Sequence, residues 1–393
     1  MDLRFTEVES AFREKVRGFL AERHEELYSA KMRSLKGREA VALGAQILQD
    51  TGWLAGHWPM EWGGAGLSPV ERYVLEQELE AVGFPPRDRT ALDLAGPVIC
   101  NFGSLSLKKR YLPQIVSGTE MWCQGFSEPE SGSDVNSLRT TATLVGDEMI
   151  VEGRKIWTTN AHLADFMFAL VRLKVDGVTQ RGLTFILIDM RHTNVSIKPI
   201  ETIDRCHRFN EVVLDKVSVP VSNIVGEPGR GWQNARYLLA NERLLLSHSP
   251  TTRRRVETLK ASARDNSNPM HHHVQFRRKL AEVEIELQAL EFAILRVLHA
   301  DRTDPTMEGL TCAIKVRGAE LRQRVGGLEL EAFEHLALIM EPLDSQLTPI
   351  RNSAIDYPDP FLLQDFLYDV SGSIAGGTTE IQKNLIAGIA LGL

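Results

Sequence analysis

The 393-residue chain has no run of about 18 uninterrupted apolar residues, so no segment reads as a membrane-spanning helix. No targeting signature is expected either. The opening Met1-Asp2-Leu3-Arg4-Phe5-Thr6-Glu7 carries an acid at its second residue and leads into no apolar run of signal length. The expectation is a cytoplasmic protein with neither export signal nor transit peptide. Cysteine is scarce. Cys100, Cys123, Cys206 and Cys312 are widely scattered, with no Cys-x-x-Cys pair and no metal-ligand spacing, and they read as reduced thiols of a reducing compartment. Positive charge is not in excess: 45 Lys and Arg against 52 Asp and Glu give a net charge of −7. That argues against nucleic acid as a partner but leaves room for a local basic pocket around one nucleotide cofactor. A dinucleotide fingerprint is absent too, because Gly63-Gly64-Ala65-Gly66 lacks both the G-x-G-x-x-G spacing and a preceding strand.

What is present is ordinary globular composition, 43% hydrophobic and 25% charged, in a chain long enough for two or three domains. Apolar positions recur at helical spacing over Phe5 to Tyr28, 36 to 52, Val70 to Val82 and Leu105 to Val116. The Gly-, Pro- and Trp-rich stretch from Gly52 to Gly66 reads as a structured loop. Residues 1–120 therefore read as a helical domain. Over 121–232 the period changes to short β-branched and apolar runs: Thr143-Val145, Met149-Val151, Phe166-Leu173, Leu183-Ile188, Val195-Ile197 and Val212-Val219. This is a β domain. Over 233–393 helical spacing returns, from Asn234 to Ser247, Arg253 to Arg264, Val274 to Asp301, and Glu308 to Ile339 as a long amphipathic helix. The proline-bearing stretch Glu341 to Asp359 reads as a linker. His271-His272-His273 reads as a surface helix start, since adjacent residues diverge and no ligand stands four residues away.

Two stretches carry chemistry. In Trp122-Cys123-Gln124-Gly125-Phe126-Ser127-Glu128-Pro129-Glu130-Ser131-Gly132-Ser133-Asp134, a short strand breaks at a Glu-Pro pair into a turn rich in hydroxyls and N–H groups. The segment Met149 to Trp157 reads as strand, turn, strand, and would bring Trp157 and Thr159 beside that turn. An indole flanked by hydroxyls suits a flat, hydrogen-bonding ring; a buried hairpin core is the alternative. Near the end, Gly376-Gly377-Thr378-Thr379-Glu380-Ile381-Gln382 reads as a tight turn into a helix, with Thr379 and Gln382 as a capping box.

These motifs, in this order, resemble the acyl-CoA dehydrogenase family. The likeness extends to Trp58-Pro59-x-Glu61-x-Gly63-Gly64-x-Gly66 upstream and covers essentially the whole chain. It implies an α+β protein with an N-terminal helical domain, a middle β-barrel or sandwich, and a C-terminal domain like a four-helix bundle. It implies FAD as cofactor, held by Gln124, Phe126, Ser127, Gly132, Ser133, Trp157, Thr159, Arg264, Gly377, Thr378 and Glu380. Ser133 and Arg243 would meet the substrate. Many relatives place a catalytic carboxylate where this chain has Gly376; others, resembling isovaleryl-CoA and long-chain acyl-CoA dehydrogenases, carry a glutamate in a Glu-Arg-Leu context, matched here by Glu242-Arg243-Leu244.

The resemblance thus assigns Glu242 as base and the Gly376 N–H as a donor to the thioester oxygen. The reaction would convert an acyl-CoA to its trans-2-enoyl-CoA in fatty-acid oxidation, with electrons passed to an electron-transfer flavoprotein. A homotetramer, or a heterotetramer with a related subunit, is implied. Two features depart from the family: Asp265-Asn266-Ser267-Asn268 replaces the usual Phe-Gly after Arg264, and no Gln-x-x-Gly-Gly-x-Gly precedes the last helices. A non-catalytic or half-site subunit of a hetero-oligomer, and an oxygen-using acyl-CoA oxidase or flavin monooxygenase relative, therefore stand beside the main reading.

Overall fold

A computed structural model describes residues 4–29, 35, 37–245, 247–264, 273–300, 304–333 and 361–393. Helix α1, Glu7–Glu22, starts where the Thr6 hydroxyl accepts from the Glu9 N–H and Glu9 answers to the Thr6 N–H; Phe12, Val16 and Leu20 form its buried stripe. A short turn, His24–Leu27, follows. Helix α2 is Gly37–Leu48, and α3, Pro69–Ala81, repeats the cap with Ser68 and Glu71 and has Pro69 at its first position. A π-helical turn, Thr90–Ala95, runs into α4, Gly96–Phe102. This piece gives no helical signal in the sequence, because residues 91–99 are all buried and no polar face marks the period. Helix α5, Leu105–Val116, has the bounds its spacing implies. The tryptophan loop locks onto the π turn: the Trp58 Nε1–H donates to the Leu92 carbonyl at 2.9 Å, and a Cβ on Gly96 would fall 1.7 Å from the indole.

The middle domain holds β1 (Trp122–Gly125), β2 (Thr141–Val145), β3 (Glu148–Thr159), β4 (Phe166–Val175), β5 (Val178–Thr179), β6 (Thr184–Asp189), β7 (Val195–Ile200) and β8 (Phe209–Pro220). Strand β4 is its spine. Its first half pairs with β1 in parallel and with β6 antiparallel, and its second half pairs with β2 and β5. The path continues through β3 and β8 to β7. The stretch Met149 to Trp157 is not strand, turn, strand but lies within one strand, β3. Its partner β8 is equally long, and the extra residues are absorbed as register shifts between Val151 and Gly153 and between Lys155 and Thr158.

The C-terminal domain comprises α6 (Gly231–Leu245), α7 (Ser249–Ser262), α8 (Val274–Leu298), α9 (Pro305–Phe333), α10 (Leu362–Asp369) and α11 (Thr379–Leu385). Helix α9 is buried on most sides, through Cys312, Ile314, Val316, Ala319 and Leu321, and keeps the charged stripe of an amphipathic helix at Arg317, Glu320 and Arg324. It finds its neighbours within the chain, packing on α6, α7, α8, α10 and α11. Buried arginines stitch these helices: Arg255 pairs with Glu329 at 2.5 Å and Asp369 at 2.7 Å, and Arg322 with Asp369 at 2.5 Å.

The His273 Nδ1 accepts from the Phe276 N–H and opens α8, while His271 and His272, and the expected linker at 341–359, lie outside the described residues. None of the four cysteines is in a disulfide. Among the described residues no helix is long and apolar enough to cross a membrane, and no cluster of His, Cys, Asp or Glu could hold a metal.

Candidate active site

The turn after β1 is built by exchange of two hydrogen bonds: Glu128 N–H to the Ser131 carbonyl at 2.8 Å, and Ser131 N–H to the Glu128 carbonyl at 3.0 Å. The N–H of Ser131 is thus consumed inside the turn, and Gly132 and Ser133 form its exposed side. Open space lies above Gly132, where an added Cβ would touch nothing within 4 Å. Gln124 is half-buried on β1. Phe126 turns its ring into the core against Phe168 and Phe185, so what it can offer a ligand is backbone.

This turn is fixed to β3 from beneath. Lys155 Nζ, fully buried, lies 2.7 Å from the Glu128 carboxylate and also donates to the Leu170 carbonyl at 2.9 Å. Glu128 further accepts from the Arg139 and Thr140 N–H groups at 2.6 and 3.0 Å. Burial pushes the carboxyl upward, but Lys155 and these donors outweigh it and hold it below the ordinary range. Above the pair, the Ile156 N–H donates to the Ser127 carbonyl at 3.0 Å. Glu128 and Lys155 were not singled out from the sequence, although each sits inside a motif that was; a charged pair at opposite ends of two adjoining motifs was the available signal.

At the second register shift the backbone of Trp157 enters the left-handed region, φ +58°, a conformation rare for a bulky side chain. The shift leaves Trp157 and Thr159 on the open face and Thr158 buried. The indole remains 55% exposed, with the Phe209 ring set against it at 81°, centroids 5.9 Å apart. Behind it, Asn210 Nδ2 donates to the Thr158 carbonyl at 3.1 Å and to the His162 Nδ1 at 3.2 Å, and Asn210 Oδ1 meets the His207 Nε2 at 2.8 Å. The two imidazoles stack with centroids 3.8 Å apart. Burial and then His207 push His162 down to about 4, so it is neutral at pH 7.

Gly376 and Gly377 both adopt positive φ, +65° and +92°, and form the turn into α11. The cap is Thr378, whose hydroxyl accepts from the Ile381 N–H at 3.2 Å. The expected Thr379–Gln382 capping box does not form, because Gln382 folds back onto the Gly376 carbonyl at 3.2 Å and Thr379 reaches the Ser373 carbonyl. Lys315 of α9 clamps the turn, donating to the Gly372 and Gly377 carbonyls at 2.9 and 2.8 Å. Glu380 is exposed on α11, and its carboxyl is held below the usual range by backbone and Thr378 hydrogen bonds.

Three residues along α9, Gly318 admits the Ser247 backbone, whose carbonyl would stand 2.5 Å from an added Cβ. Ser247 lies just beyond α6, the helix whose backbone carries Glu242 and Arg243; their side chains fall outside the described residues. Residues three apart share a helix face, so α9 gathers the end of α6 and the Gly376 turn on one side. Arg264 is exposed at the end of α7, next to 265–272, which lie outside the described residues.

Family models match in sequence along the chain: the acyl-CoA dehydrogenase N-terminal domain over residues 6–119, the middle domain over 123–217 and the C-terminal domain over 229–391. The chain belongs to the acyl-CoA dehydrogenase family. As such it is an oxidoreductase, and FAD is the cofactor of that family. The acyl-CoA dehydrogenase IpdE1 of Mycobacterium tuberculosis is 30% identical to it over 97% of each chain. A solved structure named Tcur3481-Tcur3483 steroid ACAD aligns over 100% of this acyl-CoA dehydrogenase and 99% of that chain, with a TM-score of 0.81 and 27% identity. The ChsE4-ChsE5 complex from Mycobacterium tuberculosis gives the same TM-score at 25% identity, over 100% and 99% of the two chains.

The residues present fit the cofactor. A half-open indole, the Thr159 position beside it and the uncovered Gly132–Ser133 turn lie at one end of the β domain, joined by the Ile156–Ser127 hydrogen bond. Together they offer a flat apolar wall edged by hydroxyls and N–H groups, which suits an isoalloxazine ring.

Proposed function

We propose that this acyl-CoA dehydrogenase removes hydrogen from Cα and Cβ of a ring-bearing acyl-CoA thioester, giving the 2-enoyl-CoA. FAD, when bound, supplies the acceptor for the hydride leaving Cβ. Gln124, the Phe126 backbone, Ser127, Gly132, Ser133, Trp157 and Thr159 would hold it, with Arg264, Gly377, Thr378 and Glu380 on its more distant parts. Glu242 takes the α-proton as general base. The Gly376 N–H donates to the thioester oxygen as charge builds there, and Ser133 and Arg243 orient the thioester.

The observation that carries this reading is the convergence on one face of α9. Lys315 fixes the Gly376–Gly377 turn, and Gly318 seats the end of the helix bearing Glu242. A glycine at 376 brings no carboxylate, so the base must come from another element, and the α6 glutamate stands on the element α9 brings alongside. The ring-bearing acyl group is supported by the relative named as a steroid ACAD; electron-transfer flavoprotein is the proposed acceptor.

A second reading, a subunit of a hetero-oligomer, is favoured by Asp265-Asn266-Ser267-Asn268 after Arg264 and by relatives solved as two-chain complexes. One preparation tests both. The protein purified alone and with co-expressed candidate partners is titrated anaerobically with ring-bearing and straight-chain CoA thioesters while flavin absorbance is followed. Bleaching by a thioester is expected. A yellow protein that no thioester bleaches or perturbs, alone or partnered, would overturn the proposal.

A further inference from the structure

Strand β3 pairs with β8 up to Lys155 and again from Thr158, so Trp157, in its left-handed backbone, lies in the gap between. Its neighbours must therefore fix the indole. Among the rings of the described residues, the one set against it is that of Phe209, which opens β8 opposite Thr159. The Phe209 ring in turn meets Tyr368 of α10, with planes at 24° and centroids 6.3 Å apart. Three rings thus run from the β domain into the C-terminal domain.

Tyr368 is gripped from both domains. From the β domain comes Arg208, whose carbonyl accepts from the Asn160 N–H at 2.8 Å and whose Nε lies 3.3 Å from the buried Asp204 carboxylate. Its guanidinium carbon stands 4.4 Å from the Tyr368 centroid. From the C-terminal domain comes Arg322 of α9, 5.7 Å from the same centroid and paired at 2.5 Å with Asp369, the residue next to Tyr368. Arg255 holds Asp369 as well. Lys315, Gly318 and Arg322 stand three and four residues apart and share one face of α9. The face that clamps the Gly377 turn and admits Ser247 thus also reaches Tyr368. Beyond Tyr368, α10 runs through the 3-10 turn Val370–Ser373 toward Gly376.

We propose that Tyr368 is a positioning residue that holds Phe209 against Trp157, and so fixes the flavin wall relative to the Gly376 turn; this rests on the flavin and acyl-CoA reading above. An aromatic ring suits the place because its face and edge take a second ring and a guanidinium together. Leucine fills much of the volume but has no such face. Phenylalanine keeps the face and loses only the hydroxyl. A wall left free to tilt would cost rate without removing any reacting group, since a misplacement of about 1 Å costs about 100-fold.

The test begins without flavin. The emission of Trp157 is isolated by subtracting that of the matching Trp157→Phe chain, and its anisotropy decay is followed. In the wild type the indole should turn only with the whole molecule; in Tyr368→Leu it should gain motion in the nanosecond range or faster, and in Tyr368→Phe it should not. Loaded with FAD, with a partner chain where one is needed, Tyr368→Leu should bind the cofactor about 10-fold more weakly and shift its visible band. Tyr368→Phe should stay within about 3-fold of the wild type. In a Phe209→Leu background, Tyr368→Leu should change FAD affinity by less than about 2-fold, because the path is already cut. Thermal melting checks each fold, and Tyr368→Met takes the place of Tyr368→Leu if the latter does not fold. An indole as immobile in Tyr368→Leu as in the wild type, a Tyr368→Phe as defective as Tyr368→Leu, or a full additive effect in the Phe209→Leu background would overturn the inference. A wild type that takes up no FAD would sink the flavin reading instead. The flavin-free anisotropy then decides the inference: a loosened indole in Tyr368→Leu supports it, and an immobile one overturns it.

Discussion

At the residue scale, the proposed chemistry depends on a carboxylate that stands apart from the turn it serves. Glu242→Gln keeps shape and polarity but cannot accept a proton. The variant should bind flavin and fold, with substrate-driven bleaching slowed at least about 100-fold in stopped-flow measurements. A near wild-type rate would place the base elsewhere. A different charged pair, Glu128 with Lys155, does its work without touching the reacting atoms. Lys155→Met strands a buried carboxylate, at a cost of about 3–5 kcal/mol, and frees the Ser127 end of the turn. The melting temperature should drop and flavin content with it. Adding Glu128→Gln to the same chain should restore part of the stability, because the uncompensated charge is then gone; no recovery would mean that Lys155 acts through packing alone.

At the scale of elements, the burial of His162 behind β3, stacked on His207, makes stability depend on pH. His162 titrates at about 4 in the fold, against an ordinary value of 6.5, and His57 is lowered to a similar value by burial and Arg72. Between these values the unfolded chain binds protons that the folded chain refuses. The stabilisation is complete above about 6.5 and is lost as pH falls through 4. Melting temperature should therefore decline from pH 7 to pH 5. His162→Gln, which can still accept from Asn210, should reduce that slope and leave the share of His57, and an unchanged slope would shift the effect to other groups.

Elements with a one-sided pattern, such as α5 and β8, were legible in the sequence because period and burial coincide there. The stretch 91–99 was not, being buried throughout. The left-handed backbone at Trp157 was not legible either, since it arises from pairing with β8, some fifty residues away in sequence. In the candidate site the motifs were legible as a set, while the pair that anchors them and the Thr378 cap emerged only once the strands and the Gly376 turn were placed.

At the scale of the whole molecule, the C-terminal domain leaves Ile285 and Phe292 of α8 at 66% and 51% exposure, seven residues apart on one face. Together with the departures after Arg264, this supports assembly with another chain. Light scattering of the flavin-loaded protein, alone and with a co-expressed related subunit, should give a species larger than the monomer; an active, flavin-bound monomer would rule assembly out as a requirement. The spine strand β4 has a consequence in time as well as in space. Strand β1, which leads into the proposed flavin turn, pairs with β4 across the β2–β3 hairpin, and the Trp157 bulge is set by β8, which ends at Pro220. On the ribosome, where domains form from the N-terminus as roughly 5–20 residues emerge each second, the first motif of the site waits, unformed, for nearly a hundred further residues. With the flavin held as proposed, cofactor capture would be a late event of biosynthesis, and a chain stalled before β8 would leave the exit tunnel with a complete helical domain and no place for a flavin.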